Sequence, residues 1–104
     1  MSKYLFIESR DPFEHADTKD TWELAGSLKE AGHDVVLYLV QNGVLAARKG
    51  AKLSHRPDVT IHVDDVSLRE RGMSNGDVHD GMKVSGIDTL LSLTLEEGRK
   101  PIWT

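Results

Sequence analysis

Short apolar runs alternate with segments of helical periodicity along this chain. Continuous apolar runs are typical of strands that are covered on both faces, as in parallel sheets. These runs predict strands at residues 4–7, 35–40, 59–63, 82–84 and 102–103. Apolar residues at three- and four-residue spacing, together with capping and turn residues, predict helices at residues 17–31, 41–48, 64–71 and 87–95. In the first of these helices, Asp17 can cap the start, and Leu24 is expected on the apolar face with Thr21, Ala25 and Leu28. Residues 49–57 read as a polar connection.

This order of elements predicts an α/β fold. Strands that alternate with helices favour an open, mostly parallel sheet with helices on both faces, joined by right-handed crossovers. The chain has 104 residues, and no segment rich in Pro, Gly or Ser divides it, so we expect a single domain over residues 1–104. The first strand is expected inside the sheet, and Pro101 suits the last strand to an edge or a strand start.

The composition is that of an ordinary soluble protein, with 38% hydrophobic and 29% charged residues and a formal net charge of −4. A net negative chain without a basic cluster is poorly suited to nucleic acid or to an anionic membrane, so neither is expected as a partner. No run approaches the roughly 20 apolar residues that cross a bilayer, and the first residues lack the layout of a signal peptide. We expect a cytoplasmic protein.

Neither a cofactor nor a resident metal is expected from the motifs. The chain has no Gly-rich phosphate loop of the Walker type and no GxGxxG, so nucleotide binding has no support. Its five histidines show neither HExxH nor HxH spacing. His62 and Asp64 are expected on the same strand face, but one histidine and one carboxylate do not make a metal site.

Polar residues follow three of the predicted strands. In open parallel sheets, ligands bind beyond the carboxyl ends of the strands. The candidate ligand-binding residues are therefore Glu8, Ser9, Asn42, Gly43, Asp64, Ser67 and Arg71. None of these seven residues is assigned a catalytic role. Ser67 in particular is not expected to be a nucleophile, because it has no histidine in an obvious register to activate it.

Several of these candidates have a common structural alternative. Asn42-Gly43 offers an amide and backbone N–H groups to a polar or anionic ligand, but a plain turn that begins a helix is the more frequent role. Asp64 and Asp65 lie where carboxylates cap helices, and Asp64 could instead act as a general base or a metal ligand. Arg71 either meets an anionic ligand or, more commonly, forms a surface ion pair.

Three motifs carry a resemblance to a known family: SRDPFE after the first strand, LVQNGVLAAR at the second, and SLRERG after the third. In order, spacing and placement, they resemble the DsrE/DsrF-like proteins over nearly the whole chain. The resemblance implies a three-layer α/β/α domain with a mostly parallel sheet of about five strands. It also implies trimers, hexamers or mixed complexes of related subunits, and a role in sulfur relay, in which active members pass persulfide sulfur on a cysteine.

This chain has no cysteine. The family's cysteines follow the third strand in patterns similar to CxxCxxxRG, and alignment through Arg71-Gly72 places Asp64 and Ser67 at those positions. A carboxylate offers no polarizable sulfur for the exchange step. The resemblance therefore implies a non-catalytic oligomeric subunit that binds a small ligand or a cysteine-bearing sulfur-carrier protein. The alternative is an enzyme of another class that uses Asp64 in acid–base or metal-assisted chemistry on a small substrate.

Two tryptophans are candidates for a subunit interface. Trp22 flanks the apolar side of the first predicted helix, and Trp103 ends the last predicted strand. Large aromatic side chains on edge strands or at the flank of a helix are common in subunit interfaces. A small domain buries a smaller share of its surface, so it gains the most stability from such an interface. We expect at least one of the two to be interfacial.

Overall fold

A computed structural model describes residues 1–51 and 58–104. The described residues form five strands, Lys3–Glu8 (β1), Asp34–Leu39 (β2), Thr60–Asp64 (β3), Lys83–Ser85 (β4) and Arg99–Trp103 (β5). They form three α-helices, Asp17–Glu30 (α1), Asp65–Glu70 (α2) and Ile87–Leu95 (α3), and 3-10 helices at Gln41–Ala47 and Asn75–Asp77. Residues 52–57 of the predicted polar connection, including His55, lie outside the described part.

All five strands join one parallel sheet in the order β4-β3-β2-β1-β5. The chain adds β2, β3 and β4 on one side of β1, and then returns through α3 to place β5 on the other side. The predicted α/β fold with a parallel sheet of about five strands is confirmed. As expected, β1 lies inside the sheet, and the strand that contains Pro101 lies at an edge.

Pro101 faces the open side of the edge strand β5. Thr104 continues that strand, donating its N–H to the carbonyl of Ile7 and accepting the N–H of Ser9. Because neighbouring residues of a strand direct their backbone groups to opposite sides, residues 101 and 103 direct theirs away from β1. Since proline has no N–H, this edge of the sheet lacks a donor at Pro101.

Alternate side chains of the strands form two cores, one on each face of the sheet. The larger core includes Phe6 and Leu37 and is completed by residues of α1, the first 3-10 helix and α2. The smaller core is covered by α3, and its members are Leu5, Ile7, Val36 and Tyr38, with Leu90 and Leu93 packed against them. Helices on both faces give the three layers that the family resemblance implied.

Helix α1 differs from the prediction in two ways. Its N-cap is Ala16, which makes no side-chain capping bond, whereas Asp17, the expected cap, is paired with Arg10. Leu24 was expected on the apolar face but is 50% exposed, while Trp22 is only 2% exposed. The large indole ring takes the position that faces the core, so Trp22 belongs to the core.

Other boundaries shift because periodicity does not determine where elements end. Residues 41–48 form a 3-10 helix over Gln41–Ala47, and β4 lies one residue later than predicted. Strand β5 begins three residues earlier, at Arg99. The sequence does not indicate this start, because the first three residues of the strand are two charged residues and a proline.

The guanidinium of Arg99 ties β5 to β2 and to the end of α3. The side chain is only 4% exposed; its Nη1 donates to Asp34 Oδ1 at 3.0 Å, and its Nη2 donates to Glu96 Oε2 at 3.1 Å. Nη1 also donates to the carbonyl of Tyr4. The hydrogen bond from Arg99 lowers the pKa of Asp34, and hydrogen bonds from Lys3 and Arg99 lower the pKa of Glu96.

These shifts predict a loss of stability in acid. Both pKa values lie below the ordinary 3.8 and 4.5, so the unfolded chain binds protons more readily than the folded chain. The contribution of the two carboxylates is therefore complete above their unfolded pKa values and is lost as pH falls through the folded ones. We expect Arg99→Met to lower the free energy of unfolding by about 1–3 kcal/mol at neutral pH and to flatten this acid decline, measured by urea denaturation.

The control for this prediction is Lys19→Met. Lys19 forms an exposed ion pair with Glu23 four residues along α1, so its loss should change stability by less than about 0.5 kcal/mol. An Arg99→Met chain that kept the acid sensitivity of the parent protein would show that other carboxyl groups govern it.

Candidate functional site

The loops that follow β1, β2 and β3 meet at the carboxyl end of the sheet. Because all the strands are parallel, the residues that leave these three strands are brought to the same side of the molecule. The seven predicted site residues all lie there; six of them form two separate groups, and Gly43 is a packing residue. Asn42, Asp64, Ser67 and Arg71 are joined by hydrogen bonds, and with Gln41 they are named the Arg71 cluster below.

Asp64 caps helix α2. It keeps an extended backbone conformation, and its Oδ2 accepts the backbone N–H of Ser67 at 3.0 Å and the Ser67 hydroxyl at 2.7 Å. These are the bonds of an N-cap residue, whose side chain satisfies donors at the start of the helix. The geometry therefore supports helix capping, rather than acid–base or metal chemistry, as the role of Asp64.

Ser67 joins the loop after β2 to the start of α2. Its Oγ donates to Asp64 and accepts the backbone N–H of Gln41 at 2.9 Å, and the residue is only 5% exposed. Gln41 has a φ of 50°, a left-handed conformation that residues other than glycine rarely adopt. The hydroxyl thus holds a strained residue in place, and its proton is not available to a ligand.

Arg71 is held by two neutral partners. Its Nε donates to Asn42 Oδ1 at 3.0 Å, and its Nη1 donates to the carbonyl of Ser67 at 3.1 Å. No carboxylate among the described residues lies within ion-pair distance of this guanidinium, so the predicted surface ion pair is wrong. The two hydrogen bonds fix the side chain of Arg71 while leaving its charge without a counter-ion in the described chain.

Gly43 is a packing residue. A Cβ atom at this position would lie 2.2 Å from the carbonyl oxygen of Glu8, and the backbone N–H of Gly43 already donates to the carbonyl of Val40. Its N–H group is therefore not available to an anion. Of the Asn42-Gly43 pair, only the exposed Asn42 belongs to the Arg71 cluster.

Glu8 and Ser9 form the second group, next to β5. The fully buried carboxylate of Glu8 contacts the hydroxyl of Thr104 and lies 3.4 Å from Arg10 Nη2. Ser9 donates its hydroxyl to the carbonyl of Thr104 at 2.9 Å. Their side chains hold the end of β1 to β5 and to the following loop, away from the hydrogen bonds of the Arg71 cluster.

A polar contact near the end of β4 was not predicted. Ser85 Oγ lies 2.8 Å from His62 Nδ1, and the imidazole ring stacks on Tyr38 at 5.8 Å between ring centroids. Burial, followed by the charge of Lys83, lowers the pKa of His62, while burial and then the charge of Asp64 raise the pKa of Tyr38. The alternation of side chains along β3 predicts that His62 and Asp64 share a face. The contact with Ser85 could not be predicted, because the sequence does not give the register between β3 and β4.

Several cavities of the described chain lie outside the Arg71 cluster, and two of them border charged or titratable side chains of the sheet. A groove of about 330 Å³ lies between His62 of β3 and the polar side of α3. A cavity of about 640 Å³ lies at the amino end of the sheet, lined by side chains of both charges such as Lys29, Asp34 and Lys83. Within the described ranges, no three His, Cys, Asp or Glu residues are grouped so as to hold a metal ion.

The helices of the described chain are too short or too polar to pass through a bilayer. α1 is the longest of them, with 14 residues, and contains six charged residues.

The model of the DsrE/DsrF-like family matches residues 2–100. The chain belongs to the DsrE/DsrF-like family. No curated protein is significantly similar to it in sequence. The ychN protein from E. coli, known from a crystal structure, is 19% identical and superimposes with a TM-score of 0.85, with the whole of both chains covered. MTH1491 from Methanobacterium thermoautotrophicum, a protein of unknown function, is 16% identical with a TM-score of 0.67, again over both whole chains. These two likenesses confirm the fold of the DsrE/DsrF-like chain.

The close approach at Gly43 predicts an unequal effect of two alanine substitutions. Gly43→Ala forces the backbone of Glu8 to move, and we expect it to lower the free energy of unfolding by about 2–4 kcal/mol. Gly76→Ala is the matched control, since both glycines lie in 3-10 helices and the nearest atom to a Cβ at Gly76 is 3.8 Å away. Equal unfolding midpoints for the two variants in urea would contradict this account.

Proposed function

We propose that this DsrE/DsrF-like protein is a non-catalytic, oligomeric partner subunit of a cytoplasmic sulfur relay, which binds an anionic group of a cysteine-bearing partner at the Arg71 cluster. One observation carries the proposal. At the positions that align with the family's cysteines, Asp64 and Ser67 are hydrogen-bonded to each other, while the neighbouring Arg71 keeps an unneutralised charge.

The chain cannot carry the sulfur itself. Persulfide transfer needs a thiolate that attacks or leaves, and the chain has no cysteine. The hydroxyl of Ser67 does not replace it, because that group is buried and its proton is already donated to Asp64. A role in binding is therefore better supported than a role in sulfur transfer.

The Arg71 cluster suits an anion. Arg71 is oriented by Asn42 and by the carbonyl of Ser67, and its Nη2 has no partner among the described residues. The side chains of Gln41 and Asn42 are exposed beside it and add amide donors. An anionic sulfur such as a thiolate or persulfide would accept charge-assisted hydrogen bonds from these groups.

An apolar surface on α3 supports assembly. Ile87, Leu91 and Leu95 recur every four residues on the outer side of α3 and are 60%, 51% and 81% exposed. Trp103, 66% exposed, lies opposite Ile7 in the register of β5 and β1, and so on the same face of the sheet as α3. Exposed apolar side chains concentrated in this way mark association surfaces, so Trp103 is the tryptophan proposed to be interfacial.

The binding proposal predicts that Arg71→Gln weakens the interaction with an anionic sulfur ligand. The probe is glutathione persulfide, with glutathione as the ligand that lacks the second sulfur, and binding is followed by NMR shifts of the backbone amides. We expect the Kd for the persulfide to rise about tenfold, since one charge-assisted hydrogen bond contributes roughly 1.5–3 kcal/mol.

Arg69→Gln is the control for this experiment. Arg69 lies on the same helix, is exposed, and makes only a 3.8 Å contact with Asp65. Its substitution should leave the Kd unchanged. Equal affinity of the parent protein for both ligands, or equal losses in both variants, would exclude the Arg71 cluster as the binding site.

The assembly proposal predicts a trimer or hexamer in native mass spectrometry and analytical ultracentrifugation at micromolar concentration. Leu91→Asp should dissociate it, because each interface would then bury an unpaired carboxylate. Leu24→Asp is the matched control, as Leu24 is equally exposed but lies on α1, on the opposite face of the sheet. A monomeric parent protein, or dissociation by Leu24→Asp alone, would contradict the proposal.

A further inference from the structure

A serine and a histidine are hydrogen-bonded at the end of β4, next to Asp64 of the Arg71 cluster but outside its hydrogen bonds. In the register of the two strands, His62 pairs with Lys83 and Asp64 pairs with Ser85, so the side chains at positions 62 and 85 lie on one face of the sheet. Ser85 Oγ and His62 Nδ1 are 2.8 Å apart. In the neutral tautomer that carries its proton on Nε2, Nδ1 accepts the serine hydroxyl; in the other neutral tautomer, Nδ1–H donates to Ser85 Oγ. The proposal below uses the first of these two.

The histidine is held in position and kept neutral. Its ring stacks on Tyr38, with 12° between the planes, and the Tyr38 hydroxyl donates to the carbonyl of Gly86 at 2.9 Å. Burial and the charge of Lys83 both lower the pKa of His62 below its usual 6.5. Near neutral pH the imidazole is therefore unprotonated, as a general base must be.

The backbone beside Ser85 can stabilise a negative charge. Strand β4 ends at Ser85, and α3 begins at Ile87 after Gly86, the N-cap. The first backbone N–H of α3 that reaches the carbonyl of Gly86 is that of Thr89. The N–H groups of Ile87 and Asp88 therefore have no acceptor within the helix, and such donors stabilise an oxyanion next to a nucleophile.

Space for a substrate lies next to the histidine. The groove of about 330 Å³ is lined by His62, Asp88, Thr89, Ser92, Leu93 and Glu96. Glu96 is already neutralised by Lys3 and Arg99. The other charges around His62 and Ser85 are those of Asp64 on β3, Asp65 on α2, Asp88 on α3 and Lys83 on β4. Three of these four are negative, so an anionic substrate is disfavoured and the proposal is confined to uncharged molecules.

We propose that Ser85 and His62 form a nucleophile–base pair that accepts the acyl group of small uncharged esters. Ser85 Oγ attacks the ester carbonyl carbon and its proton passes to His62 Nδ1. The bond between that carbon and the alcohol oxygen breaks, and the alcohol leaves with the proton from His62. Water then attacks the acyl-serine, the acid is released, and a proton returns to Ser85 through His62. This activity goes beyond the proposed sulfur-relay role and uses none of its residues.

The test is covalent labelling of the intact protein by a fluorophosphonate. In this reaction Ser85 Oγ bonds to phosphorus, fluoride leaves, and the proton goes to His62, so the adduct is found by peptide mapping with mass spectrometry. We expect labelling at Ser85, none at that position in Ser85→Ala, and a rate about 100-fold lower in His62→Phe, which keeps a ring to stack on Tyr38. Ser27→Ala is the control, because Ser27 is an exposed serine of α1 on the opposite face of the sheet, and it should label normally at Ser85.

The pH profile separates general-base catalysis from simple exposure of a serine. The labelling rate should rise as His62 loses its proton, with a midpoint below pH 6.5, and then stay level. A short-chain p-nitrophenyl ester should give a burst of nitrophenol that is lost in the same two variants. Labelling no faster than in the urea-unfolded chain, or unchanged in His62→Phe with normal circular dichroism, would overturn the proposal.

Discussion

The carboxyl end of the sheet depends on the buried hydroxyl of Ser67. By donating to Asp64 and accepting from Gln41, it joins the end of β3, the start of α2 and the loop after β2. Gln41 is kept in a left-handed conformation that costs a non-glycine residue about 1–2 kcal/mol. Asn42, the next residue, is thereby placed to accept the hydrogen bond from Arg71, so the orientation of that guanidinium follows from the same hydroxyl.

The hydrogen bonds of Asp64 and Ser67 hold the start of α2 to the loop after β2 without a sulfur atom. Oxygen suits this role, because it is a stronger hydrogen-bond acceptor than sulfur. The contact therefore stabilises the fold independently of any chemistry at these positions.

The periodicity of the chain was sufficient to predict the layers. β2 is buried almost throughout, so its apolar run predicts a strand covered on both faces, and the parallel sheet follows. The start of β5 could not be predicted, because the strand begins with a charged residue, Arg99. Its burial depends on partners that are distant in sequence, such as Asp34. The contact of His62 with Ser85 was missed for a similar reason, since it requires the register of two strands.

The candidate residues lie at one end of the sheet, as the order of elements predicts, but only some of them contact one another. Asn42, Ser67 and Arg71 meet because parallel strands bring their ends together. Glu8 and Ser9 follow β1 in the same way, but their side chains bond toward β5, whose position next to β1 cannot be read from one sequence. Topology therefore decided which of the candidates are neighbours.

The missing donor at Pro101 limits how copies of this protein can assemble. A strand added beside β5 would leave one of its carbonyl groups unpaired, and β4 at the opposite edge offers only three residues. Lateral growth into a continuous sheet is therefore disfavoured at both edges. The assembly proposed above would therefore use the helical faces, where closed symmetric rings can form.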